Sequence, residues 1–312
     1  MRQLARTVVG AVITILASSF IVFAALNATP GNAATRLAGN RATPKAIAEV
    51  ARRYGLDQPF WHRYTTWVWH ALHGDFGVSL QYRVSVTSLL KPRIGTTFML
   101  IIYASILIMA IGIGSAILAT RFRRLNFPVT IGSGLFIAVP TFVAALILVE
   151  IFALQFGWFP VLGTSGGSIY DRLWHLTLPA FALALSWAAY VAQISRASLR
   201  GEAGREHVQT ARGRGFTESQ VFRRHILRNG AIPIVTVAGL TVAGLVAGSV
   251  VVEQAFGING IGSFLVQSVA AKDYNAVMPI ALILVVSFVT VTAITDLVHW
   301  LLDPRIRTGA SS

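Results

Sequence analysis

The sequence predicts an all-α integral membrane protein with six transmembrane helices, on three observations. Hydrophobic residues make up 54% of the 312-residue chain and charged residues only 12%, a balance foreign to a soluble domain. The charges cluster between long uncharged runs. Several of those runs reach the roughly 20 residues that cross a hydrocarbon core of about 30 Å: residues 8–26, 97–120, 127–156, 176–194, 232–252 and 276–300. The third and sixth are longer than needed, so each is expected to tilt or to carry a helical end outside the bilayer.

The formal charge of +14 would point to nucleic acid in a soluble protein, but its distribution points to orientation instead, and no nucleic-acid partner is expected. Arg2 and Arg6 precede the first run, Arg121, Arg123 and Arg124 follow the second, eight arginines lie between Arg196 and Arg228, and Arg305 and Arg307 follow the last. The opposite short loops hold only Arg172 beside Asp171 and Lys272 beside Asp273. The positive-inside rule then predicts cytoplasmic N and C termini. Residues 28–95 carry nine basic residues on the outer side, but a loop of that length translocates largely regardless of charge. The first run exceeds the apolar core of a signal peptide and is read as an uncleaved anchor. The chain has no cysteine, which excludes thiolate metal sites and cysteine nucleophiles. The expected organisation is a cytoplasmic tail and first helix (1–27), an extracytoplasmic helical insertion (28–95), a five-helix core (96–302) with a cytoplasmic loop at 196–231, and a C-terminal tail (303–312), with lipid around the spans.

Within the insertion, Thr43 can cap a helix that has Pro44 at its first position and Gly55 past its end, with Ile47, Val50, Ala51 and Tyr54 on one face. A second helix from Pro59 to before Gly74 carries Phe60, Trp61, Tyr64, Trp67, Val68 and Trp69, a ring-rich surface suited to a membrane interface. His62, His70 and His73 share this helix, but no carboxylate or cysteine within it completes a ligand set, so no metal site is expected.

Between the last two runs, Gly257, Gly260 and Gly262 permit a tight turn, and Phe264, Leu265 and Val269 follow at the spacing of a short apolar helix. This fits a segment that dips back toward the membrane as well as an ordinary surface hairpin. In the fifth run Gly239, Gly244 and Gly248 stand among Ala238, Ala243 and Ala247, so this helix is expected to pack closely on another, from this chain or a partner. Ionisable groups inside the runs are few: Glu150 in the third and Asp296 in the sixth. An ion-coupled transporter normally keeps buried acids or histidines as relay sites. No Gly-Lys pair occurs, so a phosphate-cradling G-x-x-x-x-G-K-[ST] loop is absent, as is H-E-x-x-H. No catalytic residue is expected in this chain.

The stretch 206–233 is too polar for lipid yet bounded by apolar runs. A helix from Glu206 to Arg214 ends at Gly215, and Thr217-Glu218-Ser219-Gln220 supplies a capping box for a second. The expected form is two short helices joined at a glycine. On the second, Val221, Phe222, His225 and Ile226 make a stripe able to enter another protein's groove, edged by Arg223, Arg224 and Arg228. A polybasic face also suits anionic headgroups, but headgroup binding does not explain the capped turn or the stripe.

The run Glu206-His207-Val208-Gln209-Thr210-Ala211-Arg212-Gly213-Arg214-Gly215, with His225-Ile226-Leu227-Arg228-Asn229 and Pro233, resembles the coupling-loop signature (the EAA loop) of ABC-transporter permeases. The likeness is to the dipeptide and oligopeptide subfamily, in the subunit type with a long first outer loop. It extends over nearly the whole chain through Ala42-Thr43-Pro44, Tyr54-Gly55-Leu56-Asp57-Gln58-Pro59, Gly74-Asp75-Phe76-Gly77-Val78-Ser79, and Val251-Val252-Glu253 through Phe256-Gly257 to Gly260-Ile261-Gly262. Gln209, Gly213 and Asn32 depart from the subfamily pattern.

The resemblance implies a type I ABC importer permease fold in the bacterial plasma (inner) membrane. The implied partners are a second related permease, two ATPase subunits that bind ATP and Mg, and an extracytoplasmic binding protein, with no cofactor in this chain. The implied coupling contacts are Glu206, Thr210, Ala211, Arg212, Gly215, Val221, Phe222, His225, Ile226 and Arg228. Gln193, Glu253, Asn259 and Gln267 are candidates for the pathway or outer gate. The implied cargo is short peptides, although relatives of this architecture also move nickel complexes, glutathione, haem or aminolevulinate. An ion-coupled secondary transporter and a membrane scaffold are the readings from other classes.

Overall fold

The computed structural model of the chain describes residues 2–28, 35, 42–53, 55, 57–163 and 167–302. The expectations for Asn32, Tyr54, Leu56, Arg305, Arg307 and the tail 303–312 lie outside these residues. Among the described residues the only β pairing is an isolated bridge between Val78 and Ser85, and the rest is helix and loop.

Helix α1 (Arg2–Ala28) is followed by two short helices, α2 (Pro44–Arg53) and α3 (Phe60–Leu72). Thr43 Oγ1 accepts from the Ala46 amide at 3.3 Å, the cap that starts α2. The rings of α3 pack largely on α1. Phe20 stacks on Trp61 at 5.4 Å, Phe23 meets Phe60 edge-on at 5.1 Å, and the Tyr64 hydroxyl lies 2.8 Å from Ser19 Oγ. Trp61 and Trp69 keep exposed faces, where an amphipathic ring is favoured at a membrane interface.

The core helices run well past their apolar windows. Helix α4 spans Val86–Arg121 and includes a π-turn at Met109–Ile113. Helix α7 spans Ile169–Ala203, α9 spans Glu218–Ala255, and α11 spans Tyr274–Leu302. Helix α7 is central, packing on α4, on the third span and on α9. Its Leu176, Ala180, Leu183, Ala184, Ala188 and Val191 are buried in the main apolar cluster. The small residues of α9 meet this chain's own helices. A Cβ on Gly244 would lie 3.0 Å from the Trp187 ring and one on Gly248 3.2 Å from Leu183, while one on Gly239 would overlap Thr295 of α11. At Gly239 a side chain would overlap its neighbour outright, and at Gly244 and Gly248 it would force Trp187 or Leu183 to shift, so small residues let these helices approach closely.

The third span departs from its expectation. A single tilted helix over 127–156 is replaced by two helices, α5 (Asn126–Ile137) and α6 (Thr141–Gln155), bent by 103°. Pro140 lacks an amide hydrogen and disfavours helical geometry at Val139, which interrupts the ladder. Ser186 Oγ on α7 donates to the Val139 carbonyl at 2.7 Å, satisfying one backbone group freed by the break. The pair still crosses the bundle. Asn126 accepts from Arg196 Nη1 at 2.8 Å near the C-terminal end of α7, and Gly163 beyond α6 donates to Phe256 O at 2.9 Å past the C-terminal end of α9.

At that second end the 10-residue helix α10 (Ile261–Ala270) buries Ile261 and Phe264 against Val86, Leu90, Ala276 and Ile280. The turn after α9 therefore folds a short apolar helix back into the bundle rather than forming a simple hairpin.

Candidate functional site

The basic segment is built on the ends of α7 and α9. Helix α8 (Glu206–Gly213) ends in a Schellman motif. Gly215 N donates to Arg212 O at 3.0 Å and Phe216 N to Ala211 O at 3.3 Å, with Gly215 at φ +82°. Glycine is favoured there because a Cβ in the left-handed region meets its own backbone. Thr217 then opens α9 with a complete capping box: its Oγ1 accepts from Gln220 N at 3.4 Å, and Gln220 Oε1 accepts from Thr217 N at 3.0 Å. Arg212 Nε reaches Glu218 Oε1 at 2.9 Å across the turn.

Two parts of the expected geometry need correction. The second helix is not a short separate one but the first turns of α9, continuous through a π-turn at Phe222–Leu227 into the fifth span. Nor is the stripe fully offered to another protein. Val221 and Ile226 are buried with Leu199, Val208, Ala211 and Ile234, while Phe222 and His225 are half-buried. The loop's apolar residues form its own small core because the helix carrying them packs back on α7 and α8. The exposed surface includes Glu206, Gln209, Thr210, Gly213, Arg214, Gly215, Phe216, Thr217, Glu218, Ser219, Gln220, Arg223, Arg224 and Arg228. Ser219, Gln220, Arg223 and Arg224 line a concavity of about 310 Å³.

A buried acid missed by sequence reasoning anchors the loop. Glu202, on the last turn of α7, is 6% exposed and lies 3.0 Å from Arg205 Nε and 3.2 Å from His207 Nε2. His207 Nε2 is also 3.2 Å from Asn229 Nδ2 at the root of α9, and Ser198 Oγ donates to Gly230 O at 3.0 Å. The polar contacts and the apolar core together join α7, α8 and α9 into one block.

The pathway candidates separate at the far end. Glu253 is fully buried in a network, not open to a pathway. Its Oε1 accepts from Thr97 Oγ1 at 2.6 Å and its Oε2 from Ser263 N at 2.8 Å, while Thr97 Oγ1 accepts from Ile261 N at 2.8 Å. A Cβ on Gly260 would overlap the Glu253 carboxyl, and one on Gly262 would lie 2.7 Å from Val250 Cα, so the family-like glycines serve this close approach. Gln193 is half-buried on α7, whereas Asn259 and Gln267 are exposed beside α10. The structure does not bring these three together with Glu253 into one polar site.

Asp273, expected only as a loop charge, is fully buried. It accepts from Ser79 Oγ, from Leu80 N at 3.1 Å and from Gln81 N at 3.2 Å, and caps α11 through Ala276 N at 3.4 Å. The available signal was an aspartate three residues before the run that begins at Ala276, the usual N-cap position for a helix starting at Tyr274. Among the described residues no cluster of histidines and acids is placed to hold a metal. Glu150 and Asp296 are exposed, the first hydrogen-bonded to Gln155 Nε2 at 3.3 Å.

Comparison with known proteins matches this architecture. Residues 108–308 match the family described as "Binding-protein-dependent transport system inner membrane component", and residues 1–101 match the corresponding N-terminal family. The oligopeptide transport system permease protein AppB of Bacillus subtilis (strain 168) is 31% identical over 94% of this chain and 95% of its own length. The glutathione transport system permease protein GsiC of Escherichia coli (strain K12) is 32% identical over 97% of each chain. Among solved structures, an amino acid ABC transporter aligns with a TM-score of 0.54 and 22% identity, over 68% of this chain and 94% of that one. The inward-facing MetNI methionine ABC transporter aligns with a TM-score of 0.56 and 17% identity, over 69% and 96%. Identities this low speak for the fold alone, which is that of type I ABC importer permeases. The chain therefore belongs to the family of inner membrane components of binding-protein-dependent transport systems, and is a permease of an ABC importer.

Proposed function

We propose that the chain forms half of the translocation pathway of an importer of short peptides. Its non-catalytic role is to couple ATP hydrolysis in two partner subunits to movement of its helices. A second related permease completes the pathway, and an extracytoplasmic protein delivers the cargo. The cargo reading rests on the two relatives, one described for oligopeptides and the other for glutathione, itself a tripeptide. Both termini and the 196–231 loop lie on the cytoplasmic side, and α2 and α3 on the outer side, in accord with the arginine distribution.

The observation that carries the coupling role is the block of α7, α8 and the start of α9. A push on exposed Thr210, Arg214, Gly215 or Arg228 has no loose loop in which to dissipate. It reaches α9 directly, and α9 runs 38 residues, roughly 57 Å at about 1.5 Å per residue, to Glu253 and its network. Two bundle arrangements, with populations shifted by ATP binding on the partners, give alternating access. Glutathione or another small solute is the second cargo reading, favoured by the match to GsiC.

The test is purification of the assembled complex and its reconstitution into vesicles with its binding protein. ATP-dependent uptake of labelled di- and tripeptides is expected, with ATPase subunits co-purifying. Recovery free of any ATPase, or uptake driven by an ion gradient without ATP, would refute the assignment.

A further inference from the structure

Outside the coupling block, one cavity brings opposite charges and aromatic rings together. It holds about 390 Å³ and lies among α1, α3 and the turn after α3, within the volume range of small-molecule sites. Phe23, Trp67 and Phe76 supply an apolar wall, and Arg63 and Asp75 supply opposite charges.

Arg63 is half-buried and has no carboxylate partner among the described residues. Its guanidinium lies 5.9 Å from the Phe23 ring centroid. Burial lowers its pKa from the ordinary arginine value, so loss of water works against its charge and an anion entering the cavity would relieve that cost. Asp75 is held by its neighbours: Oδ1 accepts from Gly77 N at 3.0 Å, and Oδ2 lies 3.2 Å from His70 Nδ1. A half-buried cation over an aromatic ring and a carboxylate held by Gly77 and His70 thus share one cavity.

A free short peptide has the complementary pattern, with a carboxylate at one end, an ammonium at the other and side chains between. We propose that this cavity binds free short peptides on the outer side of the permease, Arg63 taking the terminal carboxylate and Asp75 the terminal ammonium. A simple anion would leave Asp75 opposing it. A simple cation would leave Arg63 opposing it. The inference rests on the reading of short peptides as cargo and of the first loop as outward-facing.

The experiment uses the assembled complex in nanodiscs without its binding protein. Equilibrium binding is measured for radiolabelled Ala-Phe, its C-terminal amide and its N-acetyl form. Saturable binding of Ala-Phe is expected, with each blocked form weaker by about tenfold or more, the effect of one charged hydrogen bond. Arg63→Gln should abolish discrimination against the amide while keeping discrimination against the N-acetyl form, and Asp75→Asn should do the reverse. Arg63→Lys should retain the preference for the free carboxylate. A misfolded variant would lose all binding and could not give this crossed pattern, so variants are compared only after assembly is verified by size-exclusion chromatography.

Absence of saturable binding to the wild-type complex, or equal binding of the three peptides, overturns the assignment. Unchanged selectivity in the Arg63→Gln complex does the same. ATP-driven uptake of Ala-Phe with the binding protein present is measured in parallel. Uptake without cavity binding overturns this inference alone, whereas failure to take up any peptide overturns the cargo reading.

Discussion

Replacing Thr97 with valine tests the network at the far end of α9. Thr97 is 2% exposed, and its single hydroxyl both donates to Glu253 at 2.6 Å and accepts from the Ile261 amide at 2.8 Å. Valine has a similar outline but supplies neither function. The Ile261 amide would be orphaned in a buried setting at about 1–3 kcal/mol, and the loss at the Glu253 carboxyl adds about 1.5–3 kcal/mol. Because one oxygen serves both, the terms overlap, and about 2.5–4 kcal/mol is expected in total. That is a large share of a typical folding free energy. It should act first on α10, whose start is fixed by this network. Hydrogen exchange at the Ile261 amide should accelerate by a factor on the order of 10²–10³, and denaturant unfolding of the purified complex should shift accordingly. Thr97→Ser, which keeps the hydroxyl, should recover most of the loss. Unchanged protection at Ile261, with unfolding within about 0.5 kcal/mol of wild type, would refute the reasoning.

At Gly215 the constraint is conformational rather than steric, since φ is +82° and nothing lies within 4 Å of a Cβ built there. Gly215→Asn should retain ATP-coupled uptake, while Gly215→Val, strained by about 1–2 kcal/mol or more, should hydrolyse ATP with reduced uptake; equal behaviour of the two would contradict this. Gly213 sits in the last turn of α8 with open space around it. Gly213→Ala should therefore stabilise the loop by up to about 1 kcal/mol, seen as slower exchange of the α8 amides. Asp273→Ala removes the acceptor for Ser79, Leu80 and Gln81 and should destabilise that turn by about 3 kcal/mol or more. Limited proteolysis at residues 79–82 would detect it.

Most spans were legible because hydropathy reports the segment that lipid must solvate. The helices extend beyond those windows at both ends. Residues 86–96 continue α4 and residues 218–231 start α9, polar enough to leave the bilayer yet still helical. That extension hid the fusion of the coupling helix with the fifth span. The break in the third span was marked by Pro140, but uninterrupted apolarity masked it, because hydropathy cannot distinguish a straight helix from a bent one. The capping box at Thr217 and the glycine stop at Gly215 were readable because they are local hydrogen-bond patterns with fixed spacing. The inward turn of Val221 and Ile226 was not, since a stripe of apolar residues carries no label for its partner. Asp273 and Glu253 bind groups on Ser79 and Thr97, far away in the chain, and such pairings depend on tertiary structure.

The interrupted third span has a mechanical consequence. A continuous helix resists bending because every turn is locked to the next, whereas the ladder between α5 and α6 is already broken at Pro140, where Ser186 on α7 bonds the Val139 carbonyl and both halves pack on α7. Breaking that hydrogen bond costs about 1 kcal/mol, and no helical ladder bond has to be lost with it. The chain thus places a pre-formed elbow beside the long helix α9, so that motion delivered to one helix can be taken up by rotation at the other without melting a turn.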